Sequence, residues 1–127
     1  MKEAHRKRIL LIDDDVVFSK IVDKVARLGG INLTVVNSLK GWDWSTYKTY
    51  DAIVVDYDLG NITGIQLVRS LENENSACLV PTILVSSYRN PGRNWPASIR
   101  HFLHKSEGPQ RILRVAISLP ISASALG

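Results

Sequence analysis

The sequence predicts a three-layer, doubly wound α/β domain, and three features predict it. Short uninterrupted apolar runs at Ile9 to Ile12, Ile53 to Val55 and Ile83 to Val85 read as strands buried on both faces of a parallel sheet. Between them lie segments whose apolar residues recur at helical spacing. The two patterns alternate along the chain, which calls for parallel strands joined by right-handed crossovers.

Taken in order, the first strand, Ile9 to Ile12, runs into Asp13, Asp14 and Asp15. Phe18, Ile21, Val22 and Val25 make the stripe of a first helix, which Gly29-Gly30 stops in a left-handed turn. Ile31, Leu33 and Val35 alternate as a second strand, and Ser38 is the expected cap of a short second helix carrying Leu39 and Trp42, weakened by Gly41. After the third strand, Ile65, Leu67, Val68 and Leu71 form a helical face, with a polar exit from Asn73 to Ser76. Pro81 stands just ahead of the fourth strand, where its missing N–H does least harm. Arg100 to His104 reads as a fifth strand, and Pro109 opens a last helix through Ile112, Leu113, Ala116 and Leu119, ended by Pro120. The fourth crossover breaks the rule. Between Tyr88 and Ala97, Pro91, Gly92 and Pro96 all oppose a helix interior, so a helix there is expected to be short or missing. Trp95 in that segment either covers the sheet or stands exposed as a partner anchor, and the first is favoured.

The chain has 127 residues, 45% hydrophobic and 22% charged, enough to bury a core of roughly two thirds of the unfolded surface in one domain. Disordered, collagen-like and coiled-coil classes are excluded. The apolar runs fall far short of the roughly 20 residues of a membrane helix. Met1 to Arg8 is basic, but the aspartates follow too soon to leave room for a signal peptide's apolar core, so a cytoplasmic location is expected. The single cysteine, Cys78, excludes an intramolecular disulfide and a zinc framework and is expected to be a small core residue. The net charge of +4 is uneven, with Arg89, Arg93, Arg100, Lys105, Arg111 and Arg114 in the last third. No DNA-reading motif accompanies these arginines, so they read as a solvated surface and no direct nucleic-acid binding is expected. Residues 121–127 are small and weakly polar, a tail or the start of a linker after a domain spanning 1–120.

In an open α/β sheet the site lies beyond the carboxyl ends of the strands, where the strand order reverses. Asp13 and Asp14 follow the first strand and Asp56 ends the third, so neighbouring strands would bring three carboxylates together. Capping accounts for Asp15 but not for the others, and like charges so close raise one another's pKa unless a cation sits among them. A hard divalent cation such as Mg²⁺ takes oxygen ligands and keeps several waters, leaving room for phosphate oxygens. Ser86, ending the fourth strand, adds a hydroxyl donor, and Lys105, after the fifth, adds a mobile ammonium.

The segments Ile9-Leu-Leu-Ile-Asp-Asp-Asp15, Asp51-Ala-Ile-Val-Val-Asp-Tyr-Asp-Leu-Gly60 with Gly64, Pro81-Thr-Ile-Leu-Val-Ser-Ser87 and Phe102-Leu-His-Lys105 resemble the receiver domains of two-component response regulators. The resemblance covers nearly the whole chain and implies a flavodoxin-like five-stranded parallel sheet in the order 2-1-3-4-5. It implies that Asp56 is the phosphoacceptor, that Asp13 and Asp14 with Asp56 and the Asp58 carbonyl hold Mg²⁺, and that Ser86, Lys105 and Phe102 are the phosphoryl-binding and switch residues. Asp58 and Tyr88 match the two positions that tune loss of the phosphoryl group to water. A sensor histidine kinase or phosphotransfer protein would donate, an output domain or partner protein would read the result, and a phosphorylation-dependent homodimer is compatible with the family. Such a domain catalyses only its own phosphorylation and dephosphorylation, and Met1 favours an N-terminal or free-standing receiver.

The chain also departs from the family's pattern. Ser106 stands where a proline commonly follows the lysine, often through a cis bond; since a cis non-proline bond costs roughly 3 kcal/mol, a trans bond and a rearranged loop are expected. Gly60 replaces a common proline and should loosen the loop after Asp56. The 88–97 segment falls where the family has its fourth helix, part of its usual signalling face. Two alternatives follow. A degenerate receiver would bind partners without phosphorylation. A haloacid-dehalogenase-type phosphatase would use Asp56-Tyr-Asp58 as its Asp-x-Asp motif, although such enzymes place their metal-binding acids late in the chain. His101 and His104 lie three apart on a strand, on opposite faces, and cannot share a metal. No P-loop is present for ATP hydrolysis.

Overall fold

Five parallel strands form one sheet, as the alternation of buried runs and helical stripes predicts, and in chain numbering their order is the 2-1-3-4-5 that the family resemblance implies. The strands are β1 (Arg8–Ile12), β2 (Asn32–Val36), β3 (Ala52–Asp56), β4 (Thr82–Ser86) and β5 (Ile99–His104), and the α-helices are α1 (Val16–Leu28), α2 (Gly64–Glu74) and α3 (Pro109–Ser118). The structure, a computed structural model, describes residues 7–76, 79–88 and 94–120. The readings of Cys78, of Arg89 and Arg93, of the middle of the 88–97 segment and of the 121–127 tail lie outside the described residues. None of the described helices is long and apolar enough to cross a membrane.

The period-two geometry of strands sorts the core into two layers. Ile9 and Leu11 of β1 join Val54, Ile83 and Val85 beneath α1 and α3, which contribute Val22, Ala26, Ile112, Leu113 and Ala116. On the other face, Leu10, Ile12, Ile53, Val55 and Leu84 pack against Leu67, Val68 and Leu71 of α2. Every residue of β3 and β4 is buried, which explains why their sequences show apolar runs rather than alternation.

Helix ends follow the capping chemistry. The Asp15 carboxylate accepts the Phe18 amide at 3.0 Å to start α1, and Gly30 with φ 68° lets the chain leave it. Thr63 and Gln66 exchange side-chain and backbone hydrogen bonds at 3.1 and 2.8 Å to start α2, a reciprocal capping box. That helix runs to Glu74, about one turn further into the polar exit than its apolar stripe suggests.

Two crossovers show no full α-helix among the described residues. The helix expected from Ser38 through Trp42 is absent; Gly41 takes φ 76°, which ends any helical turn there. A 3-10 helix forms later, over Trp44–Thr49, capped by Asp43, whose carboxylate accepts the Ser45 amide at 3.0 Å. Its Tyr47 is buried, and the phenol oxygen accepts the Val80 amide at 2.9 Å, fastening this crossover beneath the β4 entry. The fourth crossover shows no helix over its described residues 94–98, where Pro96 opposes one. Trp95 covers the sheet, half-buried with its ring 6.1 Å from that of Phe102. From α2, Arg69 donates to the Asn94 carbonyl at 2.8 Å, and Glu72 accepts the Ser98 amide at 2.8 Å and its hydroxyl at 2.5 Å.

Candidate functional site at the carboxyl ends of the strands

Parallel strands deliver their last residues to one edge, so Asp13 after β1, Asp56 at the end of β3, Ser86 at the end of β4 and Lys105 after β5 all arrive there. Carboxylate oxygens of Asp13, Asp14 and Asp56 lie within 4.8 Å of one another. Asp13 and Asp56 are buried and Asp14 is exposed, so the cluster opens to solvent on the Asp14 side.

Each acid is held by its neighbours. The Asp13 amide donates to the Val36 carbonyl at 3.1 Å, continuing the β1–β2 ladder, and its carbonyl accepts from Asn37 Nδ2 at 2.8 Å. Asn37 Nδ2 also donates to the buried Ser19 hydroxyl at 3.0 Å, locking the β1 exit to α1. One Asp13 oxygen accepts the Asp15 amide at 2.9 Å. Among the described residues the other is buried without a hydrogen-bond partner and pairs with the Lys105 ammonium 2.9 Å away. Behind Asp56, Gly64 packs so closely that a Cβ there would stand 2.3 Å from the Asp56 carbonyl oxygen. Only glycine lets α2 start against the back of this residue.

Lys105 reaches across the sheet edge to 2.9 Å from Asp13 and 3.4 Å from Asp56, with Nζ 4.6 Å above the Phe18 ring. The Lys105–Ser106 peptide is trans, as expected, and the lysine still reaches both acids. Burial, and then the Asp13 carboxylate, push the Asp56 carboxyl up from 3.8 to about 7, with Lys105 offsetting part of the rise. Burial alone would pull the Lys105 ammonium down, but Asp13 and Asp56 together outweigh it and the net displacement is upward.

The remaining predicted residues surround this centre. Asp58 is exposed, and its carboxylate accepts the Gly60 amide at 3.0 Å. Gly60 adopts φ 86°, closed to proline and strained for other L residues. The loop it was expected to loosen is held by the Leu59 amide on the Ile62 carbonyl at 3.1 Å and by a bridge between Asp58 and Thr63. Ser86 is buried and its hydroxyl oxygen accepts the Tyr88 amide at 2.9 Å; no hydrogen bond joins it to the acids among the described residues. Tyr88 is 66% exposed. Phe102 packs under Trp95. Asn37 and Phe18 support the site although the sequence does not mark them as site residues. Both act through contacts between strand ends and α1 that no local spacing reveals.

A hard cation fits these residues. A buried Asp13 oxygen without a hydrogen bond and two further carboxylates within ligand reach form an all-oxygen donor set suited to a divalent ion. In chemical terms the edge combines three carboxylates that could hold a cation with an ammonium between the two buried ones.

Residues 9–117 match the family profile described as the response regulator receiver domain. The regulatory protein VirG of Agrobacterium fabrum is 32% identical over 84 residues, covering 65% of this chain and 32% of VirG. The chain thus spans about a third of the length of the curated relatives it matches. Among solved structures, a CheY-like receiver domain from Methylobacillus flagellatus superposes with TM-score 0.74 at 18% identity, over 90% of this chain and 98% of that one. A response regulator from Burkholderia pseudomallei, with a phosphorylated aspartic acid, calcium ion and citrate, gives TM-score 0.64 at 20% identity, over 87% and 66% respectively. At these identities the likeness is one of fold.

Proposed function

The chain belongs to the response regulator receiver domain family, and from that premise we propose that Asp56 accepts a phosphoryl group from a phosphohistidine of a histidine kinase or phosphotransfer protein. The observation that carries the reading is the convergence of Asp13, Asp14 and Asp56 with the Lys105 ammonium between the two buried acids. In the transfer an Asp56 oxygen forms a bond to phosphorus while the bond from phosphorus to the donor's ring nitrogen breaks, leaving an aspartyl phosphate and a free imidazole. Asp13, Asp14, Asp56 and the Asp58 carbonyl would hold Mg²⁺, which when bound neutralises developing charge on phosphoryl oxygens. Lys105 supplies further positive charge from its place between Asp13 and Asp56. The phosphorylated aspartate and calcium ion of the Burkholderia relative support this assignment.

The buried Ser86 hydroxyl is the donor available to an added phosphoryl oxygen, and turning inward would release the Tyr88 amide it now accepts. That exchange would move the β4 exit and with it Tyr88 and the Trp95–Phe102 pair, a change that an output domain, partner protein or second copy could read. The domain acts on itself rather than turning over a separate substrate, in the cytoplasm where such donors reside. The test is intact-protein mass after incubation with acetyl phosphate, with and without Mg²⁺, alongside Asp56→Asn. A Mg²⁺-dependent gain of one phosphoryl group that Asp56→Asn abolishes is the expected result. No gain under any condition, including with a histidine kinase donor, would leave a phosphorylation-independent binding module.

A further inference from the structure

We propose that His104 is a positioning residue for Lys105, an inference that rests on the phosphoacceptor reading and adds a part to its machinery. The imidazole stands between two loops. Its Nε2 lies 2.8 Å from the Ser87 carbonyl oxygen, an atom that can only accept, so Nε2 carries the hydrogen. Its Nδ1 lies 3.1 Å from the Ser106 backbone nitrogen, which can only donate, so Nδ1 is bare and also accepts the Ser106 hydroxyl at 2.6 Å. Partners at the two ends therefore fix the neutral Nε2–H tautomer.

The backbone closes the same turn from the other side. The His104 amide donates to a Glu107 carboxylate oxygen at 2.8 Å, and Arg111 pairs with the other oxygen at 3.4 Å. Lys105 is the first residue of the 3-10 turn Lys105–Glu107 held in this way. A proline after the lysine would restrict the backbone by its ring; Ser106 does not, and the imidazole supplies the restraint from outside. The same ring ties the turn to Ser87, the neighbour of Ser86. Lys105 and the β4 exit are thereby joined through one side chain, so the lysine stays between Asp13 and Asp56 and follows the switch segment when it moves.

The test compares the whole chain with His104→Ala, which removes both links, and His104→Asn, which keeps a side-chain oxygen able to cap the Ser106 amide but is too short to bridge to Ser87. Three readouts are followed by NMR and mass: exchange of the Ser106 amide, the shift of the Lys105 ε-methylene protons under the Phe18 ring, and phosphoryl uptake from acetyl phosphate at saturating Mg²⁺. In His104→Ala, Ser106 is expected to exchange about tenfold faster, the ring-induced Lys105 shift to collapse, and the maximal uptake rate to fall by about tenfold at unchanged half-saturating Mg²⁺. His104→Asn should recover the Ser106 protection and only part of the Lys105 shift and rate, and it carries the test if the alanine variant does not fold. A wild-type Lys105 shift and uptake rate in the folded variants would overturn the proposal. If the wild-type chain takes up no phosphoryl group, the phosphoacceptor reading falls. The Lys105 shift then decides alone, its loss in the variants supporting the positioning role and its retention overturning it.

Discussion

Ionising Asp56 within the fold carries a cost. Burial and the adjacent Asp13 raise its carboxyl to about 7, against 3.8 for a free carboxyl, so the group binds its proton more tightly folded than unfolded. A raised carboxyl costs nothing below the unfolded value and its full amount above the folded one, so the penalty develops between about pH 4 and pH 7. Asp56→Asn removes the charge and keeps the shape. In the absence of divalent cations the variant should be more stable than the wild type at pH 8, by on the order of 1–3 kcal/mol, and the gap should close as the pH falls to 4. Urea unfolding in EDTA at both pH values checks this, and a gap that grows toward acid would contradict it. Gly64 shows the same closeness in steric form, because a Cβ 2.3 Å from the Asp56 carbonyl leaves no room for adjustment on a buried backbone.

Among the elements, α2 has the most to hold. It is the single α-helix on its face of the sheet among the described residues, and through Arg69 and Glu72 it also anchors the 94–98 segment that leads into β5. Ser98 is buried and both its donors end on one Glu72 oxygen, so Glu72→Ala strands an amide and a hydroxyl at once. A loss of about 1–3 kcal/mol in unfolding free energy is expected, with faster exchange of the Ser98 amide than of the β3 amides; an unchanged midpoint would refute the anchoring role. The elements also divide by how readable they are. The five strands and three α-helices follow from burial on both faces, helical stripes and glycine or proline stops. The Trp44–Thr49 helix was hidden because Ser38, Leu39 and Trp42 mimic a cap and stripe, whereas Gly41 takes a left-handed φ and passes the capping role to Asp43.

For the molecule as a whole, strand order alone turned scattered residues into one centre. Asp13, Asp56 and Lys105 lie far apart in sequence, yet their positions at strand ends made their meeting legible. His104 and Asn37 were not legible, because each acts through a backbone group of a different strand's exit, and such partners appear only once the register is known. The centre also links stability to ionic conditions. A cation bound among Asp13, Asp14 and Asp56 binds the fold and not the unfolded chain, so Mg²⁺ at a hundred times its dissociation constant should stabilise the protein by about 2.7 kcal/mol. Thermal unfolding with Mg²⁺ and with EDTA measures the difference, which Asp13→Asn should greatly reduce. Equal midpoints in the wild type would count against the cation site.

The two sides of the sheet also differ in what they would report to light. All three tryptophans, Trp42, Trp44 and Trp95, pack against the α2 side, and α1 and α3 carry none. The chain therefore has a native fluorophore set confined to one side. Its emission should respond when the Trp95–Phe102 pair shifts or a partner covers that side, and stay constant when a partner seats on α1 and α3. Without any label, the colour of the emission tells which side of the molecule is engaged.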